Sequence, residues 1–250
     1  MGQGDIDYFD VPFVLYNPLA MLRVDLNADV GELGVEHDAR LMASITSASL
    51  AAGFHAGNPS TLRATIRLAR AHRVAVGAHP SFDDRASFGR REMTITPAQA
   101  EDLVLYQVAA VAGVAAAEGV RLQHVKPHGA LYTMAARDSG LAEAIARAVA
   151  ACGPSIILFA PAGSELFRAG RAAGIRVAAE AFADRAYRAD GTLVPRGMAG
   201  AVIEDAGLVV SRAIRMVTNR SVTAVDGTEI AIDADTICLH GDTPRADELG

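Results

Sequence analysis

Apolar runs that break off into a histidine, a carboxylate or a glycine recur down the whole of this chain, and the recurrence restricts what it can fold into. Val24-Asp25-Leu26-Asn27-Ala28-Asp29-Val30-Gly31-Glu32 sets the pattern: alternating apolar and polar residues read as a short strand, with carboxylates and a glycine turn toward its carboxyl end. The same break follows in Gly53-Phe54-His55-Ala56-Gly57-Asn58, Gly77-Ala78-His79-Pro80, Val125-Lys126-Pro127-His128-Gly129, Phe182-Ala183-Asp184-Arg185 and Leu239-His240-Gly241-Asp242. A packed core does not need a polar residue at the same end of strand after strand. An α/β fold that keeps its chemistry at the carboxyl ends of its strands does.

Strand-like and helix-like segments alternate from Leu22 onward, the pattern of a parallel sheet with helical crossovers. The expected strands are 22–28, 49–54, 74–78, 122–125, 155–160, 175–179 and 236–240, seven in all. Asn58-Pro59 reads as an N-cap with proline at the first helical position, and Thr96-Pro97 opens the longest helix, which Gly119 closes. Further helices are expected at 141–151, 164–173 and 199–216, and Asp226-Gly227 turns a hairpin over 222–232. An open nucleotide-binding sheet carries G-x-G-x-x-G or G-x-x-x-x-G-K-[ST] after a strand, and this chain has neither. The expected fold is therefore α/β, a closed seven-stranded β/α barrel.

Its 250 residues suit one barrel domain, assigned to 22–250, with 1–21 as an N-terminal extension to which no role in function is assigned. The apolar stretch Phe9-Asp10-Val11-Pro12-Phe13-Val14-Leu15-Tyr16 in that extension reads as an edge strand, a plug under the barrel or a translated leader. With 51% hydrophobic residues the chain can fill a core. No run reads as long enough to span a bilayer, and the acidic start lacks the basic region of a secretory signal, so a cytoplasmic protein without a membrane partner is expected. A net charge of −6 and dispersed arginines argue against nucleic acid. Cys152 and Cys238 read as small core residues.

Taken singly, an Asp past a strand is often a helix cap and a lone histidine often a packing residue. As a set, Asp29, His55, His79, His128, Asp184 and His240 would open onto one barrel mouth, and such convergence marks metal or acid–base chemistry. Imidazoles with a carboxylate suit a divalent cation of the zinc type, assembled here from separate strands because no H-E-x-x-H is present. Lys126, the only lysine, would stabilise an oxyanion or phosphoryl charge or form a Schiff base; the plainer alternative is a salt bridge to Asp25 or Glu32. His124 shares its strand face one step deeper and is expected to support by hydrogen bonding, whereas His37 and His72 are expected in solvent. The loop 81–91 reads as a lid in which Arg85, Arg90 or Arg91 grips a carboxylate or phosphate, or else as a plain solvated loop.

The strings VDLNADVGE (24–32), AAGFHAGN (51–58), VGAHPSFDDRASFGR (76–90), HVKPHGALY (124–132), EAFADRAYRADGTLVPR (180–196) and ICLHGD (237–242) together resemble the LamB/YcsF family of ATP-dependent 5-oxoprolinase A subunits. The resemblance implies a seven-stranded barrel of the glycoside hydrolase/deacetylase type. It also implies a reaction in which 5-oxo-L-proline, ATP and water give L-glutamate, ADP and phosphate, with B and C subunits as partners. Without a phosphate loop in this chain, ATP is expected at a shared site. Related deacetylase-type barrels imply a metal on Asp29, His79 and His128, with His55 as a further ligand or base. Asp29, His55, Lys126, His128 and Asp184 are then the expected catalytic residues, and Asn27, Glu32, Arg85, Arg90 and His240 those expected to hold substrate or phosphate. This chain departs from the family at Ala52 and Asn58, where cysteine and aspartate are expected, and a final helix is expected beyond the seventh strand. Two other readings stay open: a stand-alone metal-dependent deacetylase or amidohydrolase, and a non-catalytic substrate-binding subunit.

Overall fold

The structure is a computed structural model, and it describes residues 14–15 and 22–239. Two short strands, β1 (Val14–Leu15) and β2 (Leu22–Arg23), pair antiparallel ahead of the barrel. Seven parallel strands then close on themselves: β3 (Asp25–Val30), β4 (Ser47–Ala51), β5 (Ala75–His79), β6 (Leu122–Val125), β7 (Ile157–Pro161), β8 (Arg176–Phe182) and β11 (Thr236–Leu239), with β11 hydrogen-bonded to both β3 and β8. The helices α1 (Val35–Leu41), α2 (Pro59–His72), α3 (Pro97–Ala117), α4 (Gly129–Ala135), α5 (Ser139–Cys152), α6 (Glu165–Ala172) and α7 (Ala206–Thr218) fill the crossovers. The hairpin β9 (Ser221–Thr223) and β10 (Glu229–Ala231) precedes the last strand, with Gly227 at φ 88° in its turn. The seven expected strands are all present, in order and closed.

The helix starts follow the local chemistry. Asn58 caps α2 by accepting from the backbone of Ser60 and Thr61, and Thr96 with Gln99 forms a reciprocal capping box on α3. The expected helix over 199–216 begins only at Ala206. Val202 bridges Arg185 in antiparallel fashion, Gly200 has φ 74°, and Asp205 is the true cap. The second barrel strand starts two residues early and stops at Ala51, where the loop bearing Gly53 (φ 93°) turns away.

Contrary to the expectation that no segment is long enough, α3 has the length and apolarity to cross a membrane. Here its Ala100, Val104, Val108, Val111 and Ala115 are buried in the large cluster shared with α5 and the outer sheet face. Inside the barrel Ile157, Phe159 and Ala178 form a small apolar cluster. Beside it the interior is polar, because Asp25, Asn27 and Asp29 recur with the strand period of two on one face of β3.

Candidate functional site

Four consecutive strands deliver the side chains that meet at the mouth. Glu32 follows β3, His55 follows β4, His79 ends β5 and His128 follows β6, and one ligand atom of each lies within 4.8 Å of all the others. The turn that presents Glu32 is held from behind: the N–H of Gly31 donates to both oxygens of the buried Asp38 carboxylate, at 3.1 Å each, and Thr65 donates to the same group. Burial raises the pKa of Asp38, against the opposing hydrogen bonds.

The backbone fixes the two central imidazoles. Nδ1 of His79 lies 2.7 Å from the carbonyl of Lys126, and Nε2 of His128 lies 2.8 Å from the carbonyl of Phe88. A carbonyl only accepts, so each of those nitrogens carries the proton in the neutral ring. Nε2 of His79 and Nδ1 of His128 are then bare lone pairs, and they face each other at 2.8 Å. Glu32 Oε1 lies 3.9 Å from the first and 3.6 Å from the second, and Asp29 Oδ2 lies 3.4 Å from His79 Nε2. Two lone pairs and two carboxylates at this spacing make a cluster that fits a cation. One carboxylate and three imidazoles also match the donor chemistry of a zinc-type ion.

The third imidazole, His55, stacks on His128 with centroids 3.8 Å apart and meets Glu32 through Nε2 at 2.8 Å, while its buried Nδ1 has no hydrogen-bond partner among the described residues. Burial, followed by the neighbouring His79, lowers its pKa to about 2, and burial with His55 and His79 holds His128 well below the usual value. Both rings are therefore neutral near neutral pH, as ligation requires.

Beneath this cluster lies a second set. Lys126 is 2% exposed, and its Nζ lies 2.8 Å from Asp29 Oδ1, 3.0 Å from Glu180 Oε1, 3.1 Å from Asn27 Oδ1 and 2.9 Å from Cys238 Sγ. These partners sit on β3, β8 and β11, so the lysine crosses the barrel interior to reach them. Burial opposes the charge on Lys126, but Asp29, Cys238 and Glu180 outweigh it and hold its pKa well above the usual value. The salt bridge expected to Asp25 or Glu32 is thus formed with Asp29 and Glu180 instead. Asp25 lies one layer down, accepting from Thr46, Ser47 and Thr236.

The other expected site residues are placed as follows. Asp29 is shared between Lys126 and His79, while Glu32, expected to hold substrate, completes the histidine cluster. Asn27 is fully buried, donates to Glu180 and Thr236 and accepts from Lys126. Arg85 donates to the carbonyls of Gly53 and Gly57 at 2.5 and 2.6 Å, tying the loop after β4 to the loop after β5. Arg91 reaches Asp84, whereas the Arg90 guanidinium lies 4.8 Å above the Phe88 ring, whose edges meet His55 and His128. Asp184 is buried just past β8 and is not one of the four clustered ligand residues, and His240 falls outside the described residues. The loop 81–91 is tightly seated rather than plain. It contains a 3-10 turn at Arg85–Ser87, and a Cβ at Gly89 would crowd His55 and His128. Two residues that no strand-end pattern singles out also belong here: Glu180, and Tyr132, whose hydroxyl donates to Glu180 at 2.6 Å. Glu180 does open one of the motif strings, but nothing local says where it points.

Comparison with known proteins agrees with this architecture. The chain is 53% identical over 227 residues, 89% of its length and 87% of the relative's, to the A subunit of a 5-oxoprolinase from Methylococcus capsulatus. It is 49% identical over 232 residues, 90% of each protein, to the corresponding 5-oxoprolinase chain from Geobacillus kaustophilus. The crystal structure of a lactam utilization protein from Thermus thermophilus superposes with a TM-score of 0.85 at 46% identity, covering 90% of this chain and 93% of that one. Residues 24–250 match the model of the LamB/YcsF family, and the chain belongs to that family.

Proposed function

We infer that this chain is the lactam-handling subunit of an ATP-dependent 5-oxoprolinase, a hydrolase that opens 5-oxo-L-proline to L-glutamate with ATP hydrolysis together with B and C partner subunits. The observation that carries the reading is the pair of facing imidazole lone pairs beside two carboxylates, buried at the mouth of a barrel whose relatives at about half identity bear that name. A five-membered lactam is a resonance-stabilised amide and a poor electrophile. Phosphorylating its oxygen makes the carbon one that water attacks; the C–N bond then breaks, the amine takes up a proton, and hydrolysis of the resulting acyl phosphate releases phosphate. ATP would be held at a site shared with a partner, and a reaction that draws on ATP belongs in the cytoplasm.

In this reading Glu32, His55, His79 and His128 hold a divalent cation, which would polarise the water or the lactam oxygen when bound. Asp29 accepts the proton of the attacking water through the oxygen that faces His79. Lys126 holds the other oxygen of Asp29, and Arg90 above Phe88 takes the carboxylate of the substrate. The same donor set would also serve a stand-alone metal-dependent amidohydrolase, and dependence on ATP separates the two.

The test is glutamate release from 5-oxoproline with and without ATP, by the chain alone and mixed with its partners. Release only with ATP and partners is expected, together with a stoichiometric divalent metal in the purified chain. His79→Ala and His128→Ala are expected to lower turnover by about 100-fold or more while circular dichroism stays native. Full turnover in both variants would remove the cluster from the mechanism.

A further inference from the structure

We propose that Glu180 is a positioning residue that acts through Lys126: it anchors the ammonium so that Asp29 is held with one oxygen turned to the histidine cluster. The proposal deepens the reading of the mouth as a lactam-opening site and rests on it.

An ammonium has three N–H bonds, and Nζ of Lys126 has four neighbours to share them: Asp29, Glu180, Asn27 and Cys238. With none left over and 2% exposure, the nitrogen has neither a lone pair nor a path for a Schiff base. Lys126 is a fixed cation, and what it does is hold things. Its ammonium takes Asp29 Oδ1, which leaves Oδ2 facing His79 at 3.4 Å, and its own carbonyl fixes the His79 tautomer. One residue therefore orients both a carboxylate and an imidazole of the site.

Glu180 is what keeps the ammonium there. Its side chain is fully buried; Oε1 accepts from Lys126 and from Asn27 Nδ2 at 3.1 Å, and Oε2 accepts from Tyr132. Tyr132 comes from α4, which follows His128 directly, and its ring edges Phe182 of β8 at 6.0 Å. The Glu180 rotamer is thus set from three sides. Without Glu180 the ammonium would lose one of its two carboxylate partners and be free to swing away from Asp29.

Lys126 is the chain's only lysine, so lysine labelled with nitrogen-15 at Nζ gives one side-chain ammonium signal that reports this contact alone. In the full-length wild-type chain the buried, triply bonded ammonium should exchange its hydrogens slowly and give a visible N–H correlation at neutral pH. Glu180→Gln should shift or abolish that signal. In the complex with partner subunits it should lower kcat by about 10- to 100-fold while leaving KM for 5-oxoproline nearly unchanged. Tyr132→Phe, which keeps the Glu180 charge, should give a smaller change of the same kind, and it stands in if Glu180→Gln does not fold. An unchanged lysine signal in the variants, or a changed signal with undiminished kcat, overturns the proposal. Should the wild-type complex open no lactam, the functional reading falls, and the lysine signal alone decides whether Glu180 anchors Lys126.

Discussion

Gly77 is a residue at which the barrel leaves no room for a side chain. A Cβ there would lie 2.1 Å from Nε2 of His124, so the absence of a side chain on β5 is what admits the imidazole on β6. His124 fills the space completely, stacked on Phe159 at 4.2 Å and bonded to Ser49, which matches the supporting role expected of it. Gly77→Ala should therefore destabilise the protein by about 1–3 kcal/mol, the usual range for forcing atoms into a packed core. A denaturant midpoint unchanged from wild type would contradict this. The strand period makes His124 and Lys126 legible as a pair on one face, and the strand ends make His55, His79 and His128 legible as a set, whereas Glu32, expected to hold substrate, joins them only in the fold. Glu180 and Tyr132 are not legible, because a sequence displays which residues end a strand but not which ones meet across the interior.

Short-range signals are the most legible at the level of elements, because caps and turns are written in adjacent residues. Asn58, Thr96 and the Asp-Gly turn all do what their chemistry dictates. Asn58→Ala should cost about 1 kcal/mol by leaving two N–H groups at the start of α2 without their acceptor. The measurement is the shift in urea midpoint against wild type, and no shift would mean that water replaces the cap fully. The start of α7 is illegible for the opposite reason. Residues 201–203 have helix-like apolarity, but Ala201 and Val202 are claimed by Arg185 and Ala186 in the loop after β8, a pairing made far along the chain. The loop tie made by Arg85 is equally non-local: its guanidinium joins the carbonyls of Gly53 and Gly57, 32 and 28 residues earlier in the chain.

Taken as a whole, the molecule keeps neutral imidazoles inside a barrel, and this makes its stability depend on pH. Burial, with Lys126 and His79 adding to it, lowers the pKa of His124 to about 3 from 6.5. Below pH 6.5 the unfolded chain binds a proton there that the folded barrel refuses until about pH 3. The stabilisation is therefore complete above pH 6.5 and is lost as the pH falls, by about 1 kcal/mol per pH unit for each such histidine. His55 and His128, also held low by burial, act with the same sign. Denaturant unfolding in metal-free buffer at pH 7, 6 and 5 should show stability falling by a few kcal/mol over that span. His124→Gln keeps a polar group against Ser49 but cannot titrate, so its stability should fall less steeply, by about 1 kcal/mol per unit. A variant that loses stability between pH 6 and 5 as fast as wild type would mean that His124 takes up its proton in the folded barrel as readily as in the open chain, against the full burial and ring stacking observed.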